Sequence, residues 1–368
     1  MQFVLSELCD QVMTASAGHR PLQVCGGGTK SFYGNTSAEL ERDAHHRLDM
    51  TAYRGIVSYE PSELVVTVRA GTPLAELQAA LAERGQMLAF EPPHFGAGAT
   101  VGGCVASGLA GPRRMAAGGV RDFVLGARLL DAQGRVLRFG GEVMKNVAGY
   151  DVSRLLAGSL GIFGALLEVS LKVAPLPLCE RSLRLVISER AALEQLGIWR
   201  AQPWPISAAA WSASGQSPDG ELTVRLSGAE PAVEAALRQF GGEPLEDAEA
   251  RAWWQSLREQ THAFFDLRPL WRVAVPPTAV PLELGPTLFE WGGAQRWLGG
   301  ELDPQAVRAA AQAAGGHATL FRASDSVPMP SGGVFHPLAP AVAQITRRLK
   351  EEFDPLGIFN PGRMYPGL

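Results

Sequence analysis

Cysteine is scarce in this chain of 368 residues, which contains only Cys9, Cys25, Cys104 and Cys179. No two of them form a Cys-x-x-Cys pair, so we do not expect the chain alone to hold an iron–sulfur or zinc cluster. The N-terminal sequence MQFVLSELCDQV has neither a basic leader nor a long apolar stretch. Widely spaced cysteines behind such an N-terminus predict reduced thiols in a cytoplasmic protein.

Long hydrophobic runs and a strong excess of one charge sign are missing as well. No apolar run approaches the roughly 18 residues that a membrane-spanning helix needs. Lys+Arg number 33 and Asp+Glu 37, which gives a formal net charge of −4 and nothing overall that attracts nucleic acid or an anionic membrane surface. We therefore expect a globular chain with no nucleic-acid partner and no transmembrane segment, and its length suggests two domains.

Histidine is not arranged for metal binding. His262, His317 and His336 each stand alone in the sequence, and the adjacent pair His45 and His46 precedes the whole second half of the chain. No metal site is therefore predicted from spacing.

The common nucleotide and hydrolase motifs are absent too. Val24 and Thr29 occupy the two glycine positions of a Walker loop aligned on Lys30 and Ser31. Ser31 also replaces the third glycine of a Rossmann fingerprint, and no Gly-x-Ser-x-Gly elbow occurs.

Glycine, in contrast, is abundant and clustered. Residues 25–30 read CGGGTK and follow the apolar LQV, residues 96–111 read GAGATVGGCVASGLAG, and a third glycine-rich stretch covers 144–169. A strand that enters a glycine turn can aim successive backbone N–H groups into one concavity, which binds anions. A single cluster could be an ordinary turn, but the three together predict one long buried ligand with a diphosphate.

The coarse pattern is that of an α+β protein. The sequence predicts a strand over 64–71, a helix over 72–85 capped by Thr72, a hairpin over 124–141 and a strand over 164–177. Strand–helix pairs then follow at 181–202 and 221–242, and a helix ends near Phe353. We predict domains at 1–177 and 178–330, and a segment at 331–368 that packs back on the first domain.

The ordered set of glycine-rich segments resembles the PCMH-type FAD-binding domain of the vanillyl-alcohol oxidase superfamily. The segments are CGGGTK (25–30), LVVTVRAGTPLAEL (64–77), GATVGG (98–103), VRDFVLGARLLDAQGRV (120–136), KNVAGYD (145–151), GSLGIFGALLEVSLKVAPLP (158–177) and FDPLGIFNPGRM (353–364). The segments GPRR (111–114), VMKNVAGYD and LAGSLG resemble segments of the FAD-binding E subunits of bacterial glycolate oxidases. The resemblance implies a two-subdomain FAD-binding domain followed by a smaller α+β cap domain.

The resemblance also implies which residues bind FAD. The first loop would hold the diphosphate, GATVGG and the residues after it would line the diphosphate and ring side, and the later segments would run beside the polar tail, the adenosine and the ribityl chain. The implied cofactor-binding residues are Gly26, Gly27, Gly28, Thr29, Lys30, Thr100, Gly102, Gly103, Ser107, Arg121, Asp122, Gly158, Ser159, Gly161 and Phe163. Tyr150 and Asp151 fit a role in fastening their loop equally well.

Two departures from the superfamily pattern shape the functional prediction. Many relatives attach flavin through a histidine near the first glycine loop, but positions 24–31 contain none, so we expect non-covalent FAD. The 2-hydroxyacid dehydrogenases of the superfamily also carry a histidine pair, an acidic residue and a further histidine in the cap, and this set is missing here. No catalytic residue is therefore assigned from the sequence.

Three functions remain open at this stage. The resemblance favours an FAD subunit of a glycolate or D-lactate oxidising complex, with a second flavin subunit and an iron–sulfur subunit that link it peripherally to the inner membrane. A stand-alone FAD-dependent glycolate or D-lactate dehydrogenase is the first alternative, and a non-redox scaffold subunit is the second. The intact glycine loops count against the scaffold.

Overall fold

A computed structural model describes residues 1–35, 47–141, 150–213, 219–324 and 329–368. His45, His46 and most of the segment KNVAGYD lie outside the described residues. In the first half the elements are α1 (Gln2–Ala17), β1 (Gln23–Cys25), β2 (Arg47–Asp49), β3 (Ile56–Glu60), β4 (Val65–Arg69), α2 (Leu74–Ala82), β5 (Gln86–Met87), α3 (Val101–Ser107), α4 (Arg114–Ala117), α5 (Val120–Phe123), β6 (Val124–Leu130), β7 (Val136–Gly140), α6 (Val152–Leu156), β8 (Ala165–Lys172) and β9 (Ala174–Pro175).

A five-stranded antiparallel sheet in the order β3-β4-β8-β6-β7 organises the first half. Its central strand β8 is buried at every position except Lys172, which explains why the sequence ALLEVSLK is mostly apolar on both faces. Leu74, Leu77 and Leu81 of α2 share one buried face and belong to the same core. The predicted hairpin is confirmed, since β6 and β7 pair across a turn that begins at Asp131.

The helix predicted over 72–85 is shorter in the structure and spans 74–82. Thr72 does not cap it, because Pro73 occupies the N-cap position and no side-chain cap bond forms. The Thr72 hydroxyl instead donates to the Arg69 carbonyl at 2.7 Å and accepts from the Gly55 amide at 2.9 Å. The residue therefore ties the end of β4 to the preceding loop.

A smaller unit precedes that sheet and contains the first glycine loop. Strands β1 and β2 pair in parallel, with Val24 opposite Leu48. Helix α1 packs Leu8 and Val12 into the same core as Leu48 and Phe359. Strand β1 ends at Cys25, so the loop CGGGTK begins where the strand stops.

An eight-stranded sheet forms the second half, in the order β13-β10-β12-β11-β15-β16-β14-β17. Its strands are antiparallel throughout. The elements from residue 179 onward are β10 (Cys179–Ser188), α7 (Glu189–Arg200), β11 (Ile206–Ala213), β12 (Asp219–Gly228), α8 (Glu230–Phe240), β13 (Glu243–Leu245), α9 (Asp247–Arg258), β14 (Leu270–Ala274), β15 (Thr287–Glu290), β16 (Gln295–Gly299), α10 (Pro304–Ala313), β17 (His317–Arg322) and α11 (Pro340–Phe353).

The large sheet buries both faces. Helices α7 and α8 cover one face, where Trp199 stacks on Phe240 at a ring distance of 3.9 Å. The other face shares a core with Tyr33 and Leu109 from the first half of the chain. The sheet is therefore packed directly against the loops that follow the glycine clusters.

A buried ion pair fixes the C-terminal segment on the first half. The Lys350 ammonium donates to Asp354 and to the Ile162 carbonyl, both at 2.6 Å, and to the Phe359 carbonyl at 2.8 Å. Asp354 also accepts from the Ile358 amide at 3.0 Å and the Phe359 amide at 2.7 Å. Every charged oxygen and the ammonium therefore have close partners, as a buried pair requires.

We expect Asp354→Ala to lower the free energy of unfolding by about 3–5 kcal/mol, because it leaves the Lys350 ammonium buried without a counter-charge. Urea denaturation measures this change. Glu351→Ala is the control, since Glu351 is exposed on the same helix and its loss should cost less than about 0.5 kcal/mol. Equal stability of the two variants would contradict the role given to the pair.

Candidate functional site

The first glycine loop packs directly on the second. A Cβ atom on Gly26 would lie 2.3 Å from the Thr100 hydroxyl, and one on Gly27 would lie 1.6 Å from the Gly98 carbonyl oxygen. Both distances are far below any tolerable contact, so these two positions need glycine for loop-against-loop packing. The sequence predicts that these glycines leave room for a ligand. The structure shows a further reason for glycine at both positions, which is the contact with the second loop.

Gly28 is different from its two neighbours. Its φ of +74° lies in the left-handed region, and a Cβ built on it meets nothing within 4 Å. The residue lines the open cleft described next. A side chain at this position would therefore project into space that a ligand could occupy.

A cleft with an open volume of about 130 Å³ lies between the two glycine-rich loops and the C-terminal segment. Lys30 and Arg363 are the charged residues that line it, and no acidic residue is among the described lining residues. The full lining consists of Gln23, Val24, Cys25, Gly26, Gly27, Gly28, Thr29, Lys30, Ser31, Thr100, Gly103, Ala106, Ser107, Leu160, Asn360 and Arg363. A cleft with two cations and bare backbone but no carboxylate in its described lining is suited to an anion.

Lys30 is held in place at the edge of this cleft. Its ammonium donates to the His94 carbonyl at 3.1 Å and lies 5.5 Å from the centre of the Phe95 ring. Burial lowers the pKa of Lys30, and the nearby Glu259 only partly offsets this effect. A bound anion would stabilise the charged ammonium, which is the form that pairs with a phosphate.

The C-terminal segment supplies two cleft residues, Asn360 and Arg363, that are not among the predicted cofactor-binding residues. The Asn360 side chain accepts from the Val24 amide at 2.8 Å and donates to the Leu160 carbonyl at 2.6 Å. The Arg363 guanidinium donates to the Tyr33 carbonyl at 2.8 Å and also to the Ser31 carbonyl. The segment FNPGRM was noted for its resemblance, but nothing in its spacing indicated which side chains face the first loop.

The structure brings together eight of the predicted site residues in this cleft. They come from the first loop and from the start and end of α3: Gly26, Gly27, Gly28, Thr29, Lys30, Thr100, Gly103 and Ser107. Gly102 does not line the cleft, because a Cβ on it would point at Ala70, directly after β4, at a distance of 2.7 Å. Its need for glycine comes from helix packing against the sheet.

Segment 158–163 supports the cleft from behind. The Gly158 amide donates to the Val105 carbonyl and the Leu160 amide to the Ala106 carbonyl, both at 2.9 Å. Ser159 is buried and donates to the Leu156 carbonyl at 2.8 Å. Gly161 approaches the Asn360 side chain, and Phe163 packs in the core 5.8 Å from the Phe353 ring. Among these, only Leu160, which was not predicted, lines the cleft.

Arg121 and Asp122 lie away from the cleft, on the exposed side of α5. The Asp122 carboxylate accepts from the Gly119 amide at 2.8 Å, which caps this short helix locally. Neither residue is among those that line the cleft.

The thiols of Cys25, which lines the cleft, and Cys104, which lies in α3 beside it, are poor nucleophiles. Burial raises the pKa of Cys104 to about 11, and burial also raises the pKa of Cys25, although Arg47 opposes it. The Cys25 thiol lies 3.4 Å from the Gln23 carbonyl. His94 turns its ring toward Gln78, with 2.7 Å between Nε2 and Oε1. A protonated thiol reacts slowly, so neither cysteine is primed to bond to a ligand.

No described group of three His, Cys, Asp or Glu side chains is placed to hold a metal ion. His317 and His336, isolated in the sequence, are neighbours in space: burial lowers the pKa of His317, and both Arg272 and His336 lower it further. The His336 ring accepts from the Ala318 amide at 3.3 Å. Among the helices of the described residues, none is long and apolar enough to cross a membrane.

Comparison with solved structures shows the fold. Alkyldihydroxyacetonephosphate synthase matches with a TM-score of 0.63 at 15% identity, over 97% of this chain and 74% of that one. The match extends over both halves of the chain and confirms the predicted α+β fold class. At this identity it carries no information about activity.

Sequence comparisons show the family. A family model described as an FAD binding domain matches residues 5–140. Glycolate oxidase subunit GlcE of Escherichia coli K12 is 46% identical over 363 residues, which is 98% of this chain and 97% of that protein. Glycolate oxidase subunit GlcD of Bacillus subtilis is 31% identical over 128 residues, only 27% of its own length. Because the match to GlcE, at 46% identity, extends over nearly the full length of both chains, the chain belongs to the family of glycolate oxidase subunit GlcE.

Proposed function

We propose that this chain is the FAD-binding subunit of a complex that oxidises glycolate or a related 2-hydroxyacid. The observation that carries the proposal is the glycine-lined, cation-bearing cleft in a chain that matches a glycolate oxidase subunit over nearly its whole length. A second flavin subunit and an iron–sulfur subunit complete the proposed complex. The partial likeness to the GlcD subunit is in keeping with two related flavin subunits in one assembly.

The cleft residues fit the polar part of FAD. Gly28 leaves open space beside a loop that carries the Thr29 and Ser31 hydroxyls, and Lys30 and Arg363 provide positive charge without a competing carboxylate in the lining. We propose that Gly26, Gly27, Gly28, Thr29 and Lys30 hold the diphosphate, with Thr100, Gly103 and Ser107 on the facing side. Bound FAD would supply the two-electron oxidation chemistry.

The remaining predicted residues take supporting roles in this proposal. Gly102 allows α3 to approach the sheet, and Gly158, Ser159, Gly161 and Phe163 hold the wall behind the cleft. Arg121 and Asp122 stay candidates for contact with the polar tail of the flavin, although their place on exposed α5 gives that role no support.

Non-covalent attachment is part of the proposal. The thiols of Cys25 and Cys104 are held in the protonated form by burial, and no histidine is among the described residues that line the cleft. Both observations support release of intact FAD from the unfolded chain.

The proposed domain boundaries are 1–177 for the FAD-binding domain, 178–330 for the cap and 331–368 for the returning segment. The separate sheets over 56–172 and 179–322 support the first boundary. Contacts of Lys350, Asn360 and Arg363 with the first half support the returning segment. We also propose that association with the inner membrane, where it occurs, is peripheral and through the partner subunits.

The first test concerns the cleft. We expect Gly28→Ala to raise the dissociation constant for FAD about tenfold or more, because the new methyl group enters the ligand space. Gly85→Ala is the matched control, since Gly85 has a φ of +65° and also nothing within 4 Å of its Cβ, but lies outside the cleft. Both variants should lose about 1–2 kcal/mol of stability from the left-handed backbone. Equal FAD affinity in both would refute the cleft assignment.

The second test concerns attachment. Acid precipitation of the FAD-loaded chain should leave all of the yellow flavin in the supernatant, as measured by absorbance. Flavin that remained with the pellet would demonstrate a covalent bond. Cys25→Ser and Cys104→Ser variants would then identify the attachment point.

The third test concerns the assembly. We expect the FAD-loaded chain to co-elute in size exclusion with the second flavin subunit and the iron–sulfur subunit, and glycolate turnover to require all three. Rapid bleaching of the flavin in the isolated chain by glycolate would favour the stand-alone dehydrogenase instead. A complex that turns over with the FAD-free chain would favour the scaffold.

A further inference from the structure

A second, narrower cavity lies close to the proposed FAD cleft, between the two halves of the chain. Pro93, Phe95 and Gly111 form one wall, and residues of β14, β15 and β16 form the other. The helix α3 connects the two sites, because Thr100, Gly103 and Ser107 line the cleft and Leu109 and Ala110 line the cavity. Phe95 also separates the cavity from the Lys30 ammonium, which lies 5.5 Å from its ring centre.

Glu290 is the buried carboxylate of this cavity, and it is 4% exposed. Gln295 Nε2 donates to it at 2.6 Å and Trp297 Nε1 donates at 2.8 Å, and both bonds end on Oε1. The described residues therefore give Oε2 no donor of its own. The carboxylate is oriented by two fixed donors and keeps one oxygen for a ligand.

Arg272 brings positive charge to the same cavity. Its Nε donates to Gln295 Oε1 at 2.6 Å, so a hydrogen-bonded chain runs from Arg272 through Gln295 to Glu290. No described carboxylate forms a salt bridge with Arg272. The guanidinium also lies 5.4 Å from the Trp291 ring centre, and Arg114 lies 4.3 Å from the same ring. Burial lowers the pKa of Arg114, and the neighbouring Arg272 lowers it further, while the Asp122 carboxylate opposes this effect.

Gln260 marks the cavity as more than a packing gap. Gln260 lines it, and its Oε1 atom is buried with no hydrogen-bond partner. An unsatisfied buried acceptor costs free energy and calls for an explanation. Gln260 also has a φ of +54°, and the adjoining Trp291 a φ of +56°. Such strained non-glycine backbone concentrates at ligand sites.

The cavity admits only a small ligand. Its open volume of about 20 Å³ holds one water molecule, and the side chains of Arg258 and Gln260 would have to turn aside to admit a two- or three-carbon acid. Arg258 is partly exposed and pairs with the adjacent Glu259 at 2.8 Å, so admission of the acid requires this ion pair to break while the side chain turns toward solvent. A larger substrate would clash with Trp297 and Phe321.

We propose that this cavity is the 2-hydroxyacid site of the chain, with Arg272 binding the substrate carboxylate and Glu290 accepting the hydrogen bond of the α-hydroxyl through Oε2. This proposal rests on the proposed function and gives it a substrate site. The sequence offered no such set, because a lone glutamate in LFEWGG has no motif. The cation matches the acid group and the carboxylate matches the hydroxyl, which is the pairing that distinguishes a hydroxyacid from a simple acid.

The protonation state of Glu290 should make ligand binding in this cavity depend on pH. Burial raises the pKa of Glu290 to about 6, against the opposing effects of Trp297, Gln295 and Arg272, while the carboxylate of Glu91 raises it further. The other charged residue that lines the cavity is Arg258. The ionised carboxylate accepts at Oε2, whereas protonation there turns this oxygen into a donor. The preference for a hydroxyacid should therefore be complete well above pH 6 and fall away as the pH drops through it.

The test compares sodium glycolate with sodium acetate, which lacks the hydroxyl. Each is titrated into the FAD-loaded chain at constant ionic strength, with tryptophan fluorescence as the readout, because Trp297 lines the cavity. We expect glycolate to bind about tenfold more tightly than acetate at pH 8, and the preference to disappear near pH 5. Glu290→Gln should remove the preference at all pH values, whereas Arg272→Gln should weaken both ligands.

Glu189→Gln is the matched control. Burial raises the pKa of Glu189 as well, but this residue lies at the start of α7 and does not line the cavity. It should leave both affinities and the pH profile unchanged. Circular dichroism and flavin absorbance establish that each variant is folded and loaded.

A wild-type chain that binds FAD but prefers glycolate by less than twofold at pH 8 overturns the inference and leaves the proposed FAD function standing. The same holds if Glu290→Gln keeps the preference. If Glu290→Gln does not fold, the pH profile of the wild-type chain tests the inference instead. A preference for glycolate over acetate that persists at pH 5 would rule out Glu290 as the acceptor of the hydroxyl hydrogen bond. A chain that fails to bind FAD refutes the proposed function separately.

Discussion

The close contact between the two glycine-rich loops is the constraint on which the candidate sites depend. Gly27 approaches the Gly98 carbonyl, and Gly26 approaches Thr100, at distances that no side chain allows. This contact sets the position of α3 relative to β1. Because α3 has cleft residues along its length and cavity residues immediately after its end, the same contact fixes both sites at once. A small displacement of either loop would alter the whole region between the two halves.

The C-terminal segment stabilises this arrangement from the other side. Asn360 bonds to Val24 of β1 and to Leu160, and Lys350 and Asp354 hold the turn that precedes it. A residue near the end of the chain thus reaches the strand that leads into the first loop. The energetic cost of burying the Lys350–Asp354 pair is offset by backbone partners on both groups. The pair therefore fixes the position of the turn before Asn360 as well as contributing to stability.

Charge is distributed unevenly across the boundary between the two halves. Glu91 accepts from the Arg113 backbone amide at 2.8 Å, from the Arg113 guanidinium at 3.4 Å and from the Arg225 guanidinium at 2.9 Å. The Arg113 guanidinium also pairs with Glu180 at 2.6 Å. Burial would raise the pKa of Glu91, but the two arginines outweigh it and lower that pKa. Arg272 and Arg114, which share the Trp291 ring, form no salt bridge among the described residues. The Glu91 network joins the domains, whereas Arg272 lines the proposed substrate cavity together with Glu290.

The sequence by itself determined the elements and the first loop. Alternation and apolar runs predicted β4, β8, the hairpin of β6 and β7 and the strand–helix pairs of the second half, because each depends on neighbours a few residues apart. The cluster Gly26–Gly28 and the segment around Thr100 were predicted as ligand loops for the same reason. Only the tertiary structure decided which residues face the cleft. Gly102 turns toward Ala70, while Asn360 and Arg363 come from the far end of the chain. Glu290, Gln295 and Arg272 lie on three strands whose pairing brings them together. Such contacts depend on sheet order and register over many residues, and no local pattern encodes them.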